Sequence, residues 1–122
     1  MFGKKENIGK IETIIAESAV IEGNMSSEGT IRVDGIVEGH ISKSTGVIVG
    51  KTGKITGDLH SESIIIGGVI SGNVFTLNSL ELLSTAQVLG DIETQTLSIH
   101  QGAIFEGKCT MIKKEMIKNV DE

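Results

Sequence analysis

The side chains best suited to chemistry are His40, His60 and His100, the single Cys109, and the carboxylates Asp34, Asp58 and Asp91. A zinc site needs His, Cys or acidic ligands converging on one point. Acid–base catalysis needs carboxylates or a His held against one cleft. The spacing supplies neither. The histidines follow the recurrent glycines Gly39, Gly57 and Gly90 by one, three and ten residues, so their registers place them on different faces or coils. Asp34, Asp58 and Asp91 are spread among turns, with no pair marked for proton transfer. Cys109 lies on an apolar alternation, where a buried thiol is the ordinary outcome. Gly50-Lys51-Thr52 has the ending of a phosphate-binding loop, but Thr45 stands where the first glycine of that loop belongs. No catalytic residue, metal-ligand set or cofactor site is expected, and the glycines are structural.

A chain of 122 residues permits one domain. It contains 19 Ile, 9 Val and 10 Thr against 7 Leu and 4 Ala, with 16 Gly and no Pro, Trp or Tyr. β-Branched side chains are stiff at χ1 and favour strands, so a helical bundle is excluded. Phe2, Phe75 and Phe105 are the only aromatics, too few for a surface that stacks single-stranded bases. The net charge of −5 also argues against a nucleic-acid partner, which selects a basic surface. The lone cysteine excludes a disulfide framework and fits a reducing compartment. No run reaches the ~18 apolar residues of a membrane span. The first ten residues lack the apolar stretch of a secretory signal, so a cytoplasmic location is expected.

What must position these side chains is a repeat. A small residue, any residue, Ile or Val, any residue, Gly, a polar residue and an apolar residue recur six times. The copies run from Ala19-Val-Ile-Glu-Gly23-Asn-Met25 to Ala103-Ile-Phe-Glu-Gly107-Lys-Cys109. Their central residues are Gly23, Gly39, Gly57, Gly72, Gly90 and Gly107, separated by 16, 18, 15, 18 and 17 positions. Apolar residues two positions either side of each Gly share its face, which is strand periodicity. Ile21, Val37, Ile55, Ile70, Val88 and Phe105 are therefore expected to point inward. Gly at the same inward face permits a bend or a close backbone approach that a side chain would obstruct. A second alternation follows about eight residues later, from Ile31/Val33 through Leu80/Leu82 to Leu97/Ile99. Asn24, His40, Asp58, Asn73, Asp91 and Lys108 form a polar column directly after the glycines, which a ladder at a corner explains without chemistry.

A period near 17 residues with several short strands in each repeat predicts an all-β, single-domain solenoid of about six coils. At ~4.8 Å between neighbouring strands, six coils make a rod on the order of 29 Å long. The coils are expected over residues 13–112, with polar, charged tails at 1–12 and 113–122. A solenoid exposes unpaired backbone and an open core at both ends unless something caps them. At the last coil, Phe105 fills a position held by Ile or Val in every other repeat, and Cys109 and Met111 continue its inward alternation. These residues either plug the end or make it a sticky surface that stacks on another subunit.

The whole of 13–112 resembles the bactofilins, bacterial cytoskeletal proteins that polymerise without nucleotide. The resemblance rests on Thr13-Ile-Ile-Ala-Glu-Ser-Ala-Val-Ile-Glu-Gly23, on Ile31-Arg-Val-Asp-Gly-Ile-Val-Glu-Gly39, and above all on Gly102-Ala-Ile-Phe105-Glu-Gly-Lys-Cys109-Thr-Met111. It implies a right-handed, three-sided parallel β-helix, and end-to-end assembly into non-polar filaments in which like ends meet. It further implies that Phe105, with Met111 beside it, belongs to the polymerisation interface. The first coil departs from the family pattern, with Ala16 and Ala19 where glycines are frequent.

The resemblance also bears on the tails. Many bactofilins attach to the inner membrane through a short N-terminal peptide. Met1 and Phe2 followed by Lys4 and Lys5, with Lys10 beyond, match that kind of peptide, implying inner-membrane lipid as a partner. Clients among the envelope or cell-shape machinery are implied in the same way. Two alternatives stand beside the scaffold. A left-handed β-helix of the hexapeptide class, which includes acyltransferases and a zinc carbonic anhydrase, holds a strict six-residue step of about 18 residues per coil. The drift seen here is against it. The other is a non-polymerising solenoid that recruits a partner protein on one flat wall, for which Ile36, Ile48, Ile65, Val69, Leu83 and Leu89 supply outward apolar positions.

Overall fold

The computed structural model describes residues 11–112 and contains sixteen strands and no helix among them. Numbered in chain order, the strands fall on three walls, and every pairing is parallel between one coil and the next. The first wall holds β2 (Val20–Glu22), β5 (Ile36–Glu38), β8 (Lys54–Thr56), β10 (Val69–Ser71), β12 (Gln87–Leu89) and β15 (Ile104–Glu106). The second holds β3 (Met25–Ser26), β6 (Ile41–Lys43), the first halves of β9 (Leu59–Ile66) and β11 (Val74–Leu82), β13 (Ile92–Thr94) and β16 (Cys109–Met111). The third holds β1 (Ile11–Ile15), β4 (Thr30–Val33), β7 (Gly46–Val49), the second halves of β9 and β11, and β14 (Thr96–Ile99). The chain is a three-walled parallel β-solenoid of about six coils.

β1 begins at Ile11, the first of the described residues. Ile11 pairs with Thr30, and a register shift separates it from the regular pairing of Thr13 with Ile31.

The register stacks like on like. Ile21, Val37, Ile55, Ile70, Val88 and Phe105 follow one another up the first wall. The fully buried core runs from Ile15 to Ile92 and consists of Ile, Val and Leu apart from Ala86. Branched side chains in a parallel stack lose little further χ1 freedom on burial and pack against the same shape above and below.

The central glycines turn the corner between the first and second walls. Gly72 has φ of +151°, and a Cβ there would sit against the carbonyl oxygen of Gly57 one coil below. The same contact repeats at Gly39, Gly57, Gly90 and Gly107. Only glycine fits both the dihedral and the space.

At the opposite corner, between the second and third walls, the interior is hydroxylic. The Thr76 and Thr94 hydroxyls meet at 2.5 Å, and Thr94 also donates to the Thr96 carbonyl at 3.0 Å. Ser61 reaches the carbonyls of Ser63 and Ser44. Among the described residues no buried side-chain polar atom lacks a partner, as a dry interior requires. In the middle coils β9 and β11 run through this corner without a break, and their register shifts between Thr76 and Ser79. Leu77 is pushed out there and stands 47% exposed.

Candidate functional site

Of the candidate chemical groups, His40 and Asp58 meet, with Nδ1 4.0 Å from Oδ2, and His60 lines the same hollow. His40 is on the glycine corner, His60 lies against Phe75 with ring centroids 5.3 Å apart, and His100 Nε2 lies 2.7 Å from Glu81 Oε2. Among the described residues no three His, Cys, Asp or Glu side chains are grouped to hold a metal ion.

The polar column after the glycines is a ladder with one direction. Each side chain accepts the backbone N–H of the next member. Asn24 Oδ1 takes it from His40 at 3.2 Å, His40 Nδ1 from Asp58 at 3.0 Å, and Asp58 Oδ1 from Asn73 at 3.1 Å. Asn73 Oδ1 then accepts from Asp91, and Asp91 Oδ1 from Lys108, both at 3.1 Å. Accepting at Nδ1 assigns His40 the tautomer with its proton on Nε2. Lys108 ends the series, because an ammonium has three donors and no acceptor.

A second charged feature lies on the third wall. Asp34 holds Arg32 through Nε at 2.9 Å and Nη2 at 3.2 Å. That hydrogen bonding raises the guanidinium pKa above its ordinary value, against the smaller opposing effect of burial.

The ends of the stack differ from its middle. The apolar residues that pack on the core yet stay only partly buried are Ala19, Ile21 and Met25 in the first coil and Leu97, Ala103, Phe105 and Cys109 in the last. Every coil between has its inward apolar residues fully covered by neighbours above and below. Leu97 and Ile99 keep the inward register, paired with Leu80 and Leu82, but Ile99 is 48% exposed because no described coil follows it. Phe105 sits above Val88, Cys109 above Ile92, and Met111 above Thr94. Cys109 Sγ lies 3.9 Å from Met111 Sδ, and Met111 is 46% exposed. β14, β15 and β16 are the terminal strands of the three walls at this end, and β1, β2 and β3 at the other. Among the described residues no strand pairs with the outer edge of any terminal strand, and such an edge is a template for another chain. Met1, Phe2, Lys4, Lys5 and Lys10 lie outside the described residues, as does everything beyond 112.

Among the described residues the stack of similar rungs has no further coil over either end, which is the geometry of a polymer unit. Residues 13–110 match the family model Bactofilin, described as polymer-forming cytoskeletal. The chain belongs to the bactofilin family. It is 32% identical to bactofilin BacO of Myxococcus xanthus over 103 residues, covering 84% of this chain and 82% of BacO. It is 30% identical over 99 residues to BacP of the same organism, covering 81% of this chain and 41% of BacP. A solved chain from the reconstruction of Thermus thermophilus bactofilin double helical filaments has the same fold. It superposes with a TM-score of 0.72 at 24% identity, over 83% of this chain and all of that one. This bactofilin is thus a cytoskeletal scaffold protein with a β-solenoid body, and among its described residues no helix is long and apolar enough to cross a membrane.

The repeat placed Phe105, Cys109 and Met111 on the inward register, and all three lie there. The direction of the polar ladder was missed. Its signal was available, since Lys108 is the one member of the column that has no acceptor atom.

Proposed function

We propose that this bactofilin assembles end to end into filaments without nucleotide, with like ends meeting, and that its N-terminal peptide holds the filament at the cytoplasmic face of the inner membrane. The observation that carries this reading is the incomplete burial confined to the first and last coils. Fully burying a Phe, Leu, Ile or Met side chain contributes about 1.5–3 kcal/mol. Leu97, Ile99, Phe105 and Met111 are partly covered already, so a junction gains on the order of a few kcal/mol and needs no hydrolysis to form.

The polar ladder does not continue across a head-to-tail junction. Stacked head to tail, the Asn24 N–H of one subunit would face the Lys108 ammonium of another, donor against donor. At the N-terminus, one Met-Phe tip with lysines at about 1 kcal/mol each binds anionic lipid weakly, but a row of tips along a filament binds through avidity. In such a filament the scaffold supports cell shape or positions other envelope proteins.

Electron microscopy of the purified chain in nucleotide-free buffer tests the assembly. Filaments are expected. Monodisperse single copies would overturn the reading in favour of a solenoid that recruits a partner on one wall.

A further inference from the structure

The third wall carries a pattern that the ends do not use. Its outward column, read from the N-terminal coil, is Ile14, Arg32, Ile48, Ile65, Glu81 and Ser98, in register from strand to strand. The two central members are half-buried isoleucines and their neighbours are charges of opposite sign. Turning a second copy end over end, about a two-fold axis along the strands, lays the second rung on the fifth and the third on the fourth. Arg32 then meets Glu81 of the second copy, twice, around an Ile48–Ile65 centre. Side-by-side copies pointing the same way would instead set Arg32 against Arg32 and Glu81 against Glu81.

We infer that the third wall is a lateral interface between antiparallel copies of this chain, centred on Ile48 and Ile65 and specified by Arg32 against Glu81. Asp34 engages Nε and Nη2 of Arg32, leaving Nη1 of the fork for a partner. His100 engages Oε2 of Glu81, leaving Oε1. The other two walls lack this pairing of opposite charges: on the first wall Lys54 meets only Val69. On the first wall the same operation sets Glu22 against Glu106, and the second wall is hollowed beside Ser42, Lys43, Ser61, Phe75 and Leu77.

Size decides when the face is used. Four residues of strand by six rungs is about 13 by 29 Å, or roughly 750 Å² buried over both copies. A stable isolated complex buries about 1,200 Å² or more. Single copies therefore stay apart, and a string of copies pairs with another string through repeated contacts. The inference rests on the end-to-end reading above.

The test measures filament width by electron microscopy of the full chain and of Arg32→Glu and Glu81→Arg, each assembled alone. Wild type is expected at paired width and each variant at single width, with end-to-end length retained. Mixing the two preassembled variants restores paired width, because each supplies the charges the other's face now needs. Ile48→Ser, which leaves the charges intact, is expected to narrow the filament in the same way. Wild-type filaments of single width, or variants that keep the wild-type width, overturn the lateral face alone. Absence of wild-type filaments overturns the end-to-end reading, and the lateral face with it.

Discussion

Asp91 Oδ1 accepts the backbone N–H of Lys108 at 3.1 Å, and Lys108 offers no acceptor in return. The ladder that links the coils along the glycine corner is thus closed at the C-terminal end by the chemistry of one side chain. Among the described residues no coil covers the core beside it. Directional hydrogen bonding and undirected apolar burial therefore make different demands on whatever meets that end.

The glycine corner gives the sharpest stability contrast. Gly72→Ala places a Cβ against the Gly57 carbonyl at a dihedral that side chains avoid, and is expected to cost more than about 4 kcal/mol. Gly23→Ala meets nothing within 4 Å and carries only dihedral strain, about 1–3 kcal/mol. Urea denaturation followed by circular dichroism compares the two. Equal losses would show that the close approach between coils is not what selects glycine.

The ladder is exposed, so each rung contributes modestly. Asn73→Ala removes the acceptor for the Asp91 N–H, and a loss of about 0.5–1 kcal/mol is expected. Asn73→Asp keeps an acceptor oxygen and should stay near wild type. Midpoints of urea unfolding decide the matter, and a neutral Asn73→Ala would mean that water replaces the rung at no cost.

Phe105→Arg sets an unpaired charge over Val88 at the open end. Filaments are expected to disappear while the β-rich circular dichroism persists, since the residue is only partly buried in the single copy. Persisting filaments would make Phe105 a bystander, and an unfolded chain would make it core.

Cys109 is the only cysteine and faces the same end. A short bismaleimide added to assembled filaments should yield covalent dimers and no higher species, because one thiol meets its counterpart only where two C-terminal ends join. In a head-to-tail filament the thiol faces a first coil without cysteine, and no dimer forms.

Removing residues 1–7 deletes Met1, Phe2, Lys4 and Lys5. Co-sedimentation with anionic vesicles is expected to drop to background while filaments still form. A truncated chain that pellets as fully as the intact one places membrane contact elsewhere.

The sequence by itself determined the coil. Gly at near-constant spacing, with Ile or Val two residues before it and an apolar residue two after, sets which side of each strand is inside. Side-chain direction in a strand is a local property with a period of two. The polar column and the inward place of Phe105, Cys109 and Met111 were legible for that reason. What one coil lays on the next was not. Spacing drifts between 15 and 18 residues, and the drift is absorbed in corners such as the shift between Thr76 and Ser79. Only the folded stack could therefore bring Arg32 and Glu81 onto one column with Ile48 and Ile65 between them. The fate of the terminal apolar residues was likewise decided in three dimensions. Leu97 and Ile99 carry the same inward pattern as Leu80 and Leu82, yet lie uncovered, because burial depends on having a neighbour above as well as a face that points inward.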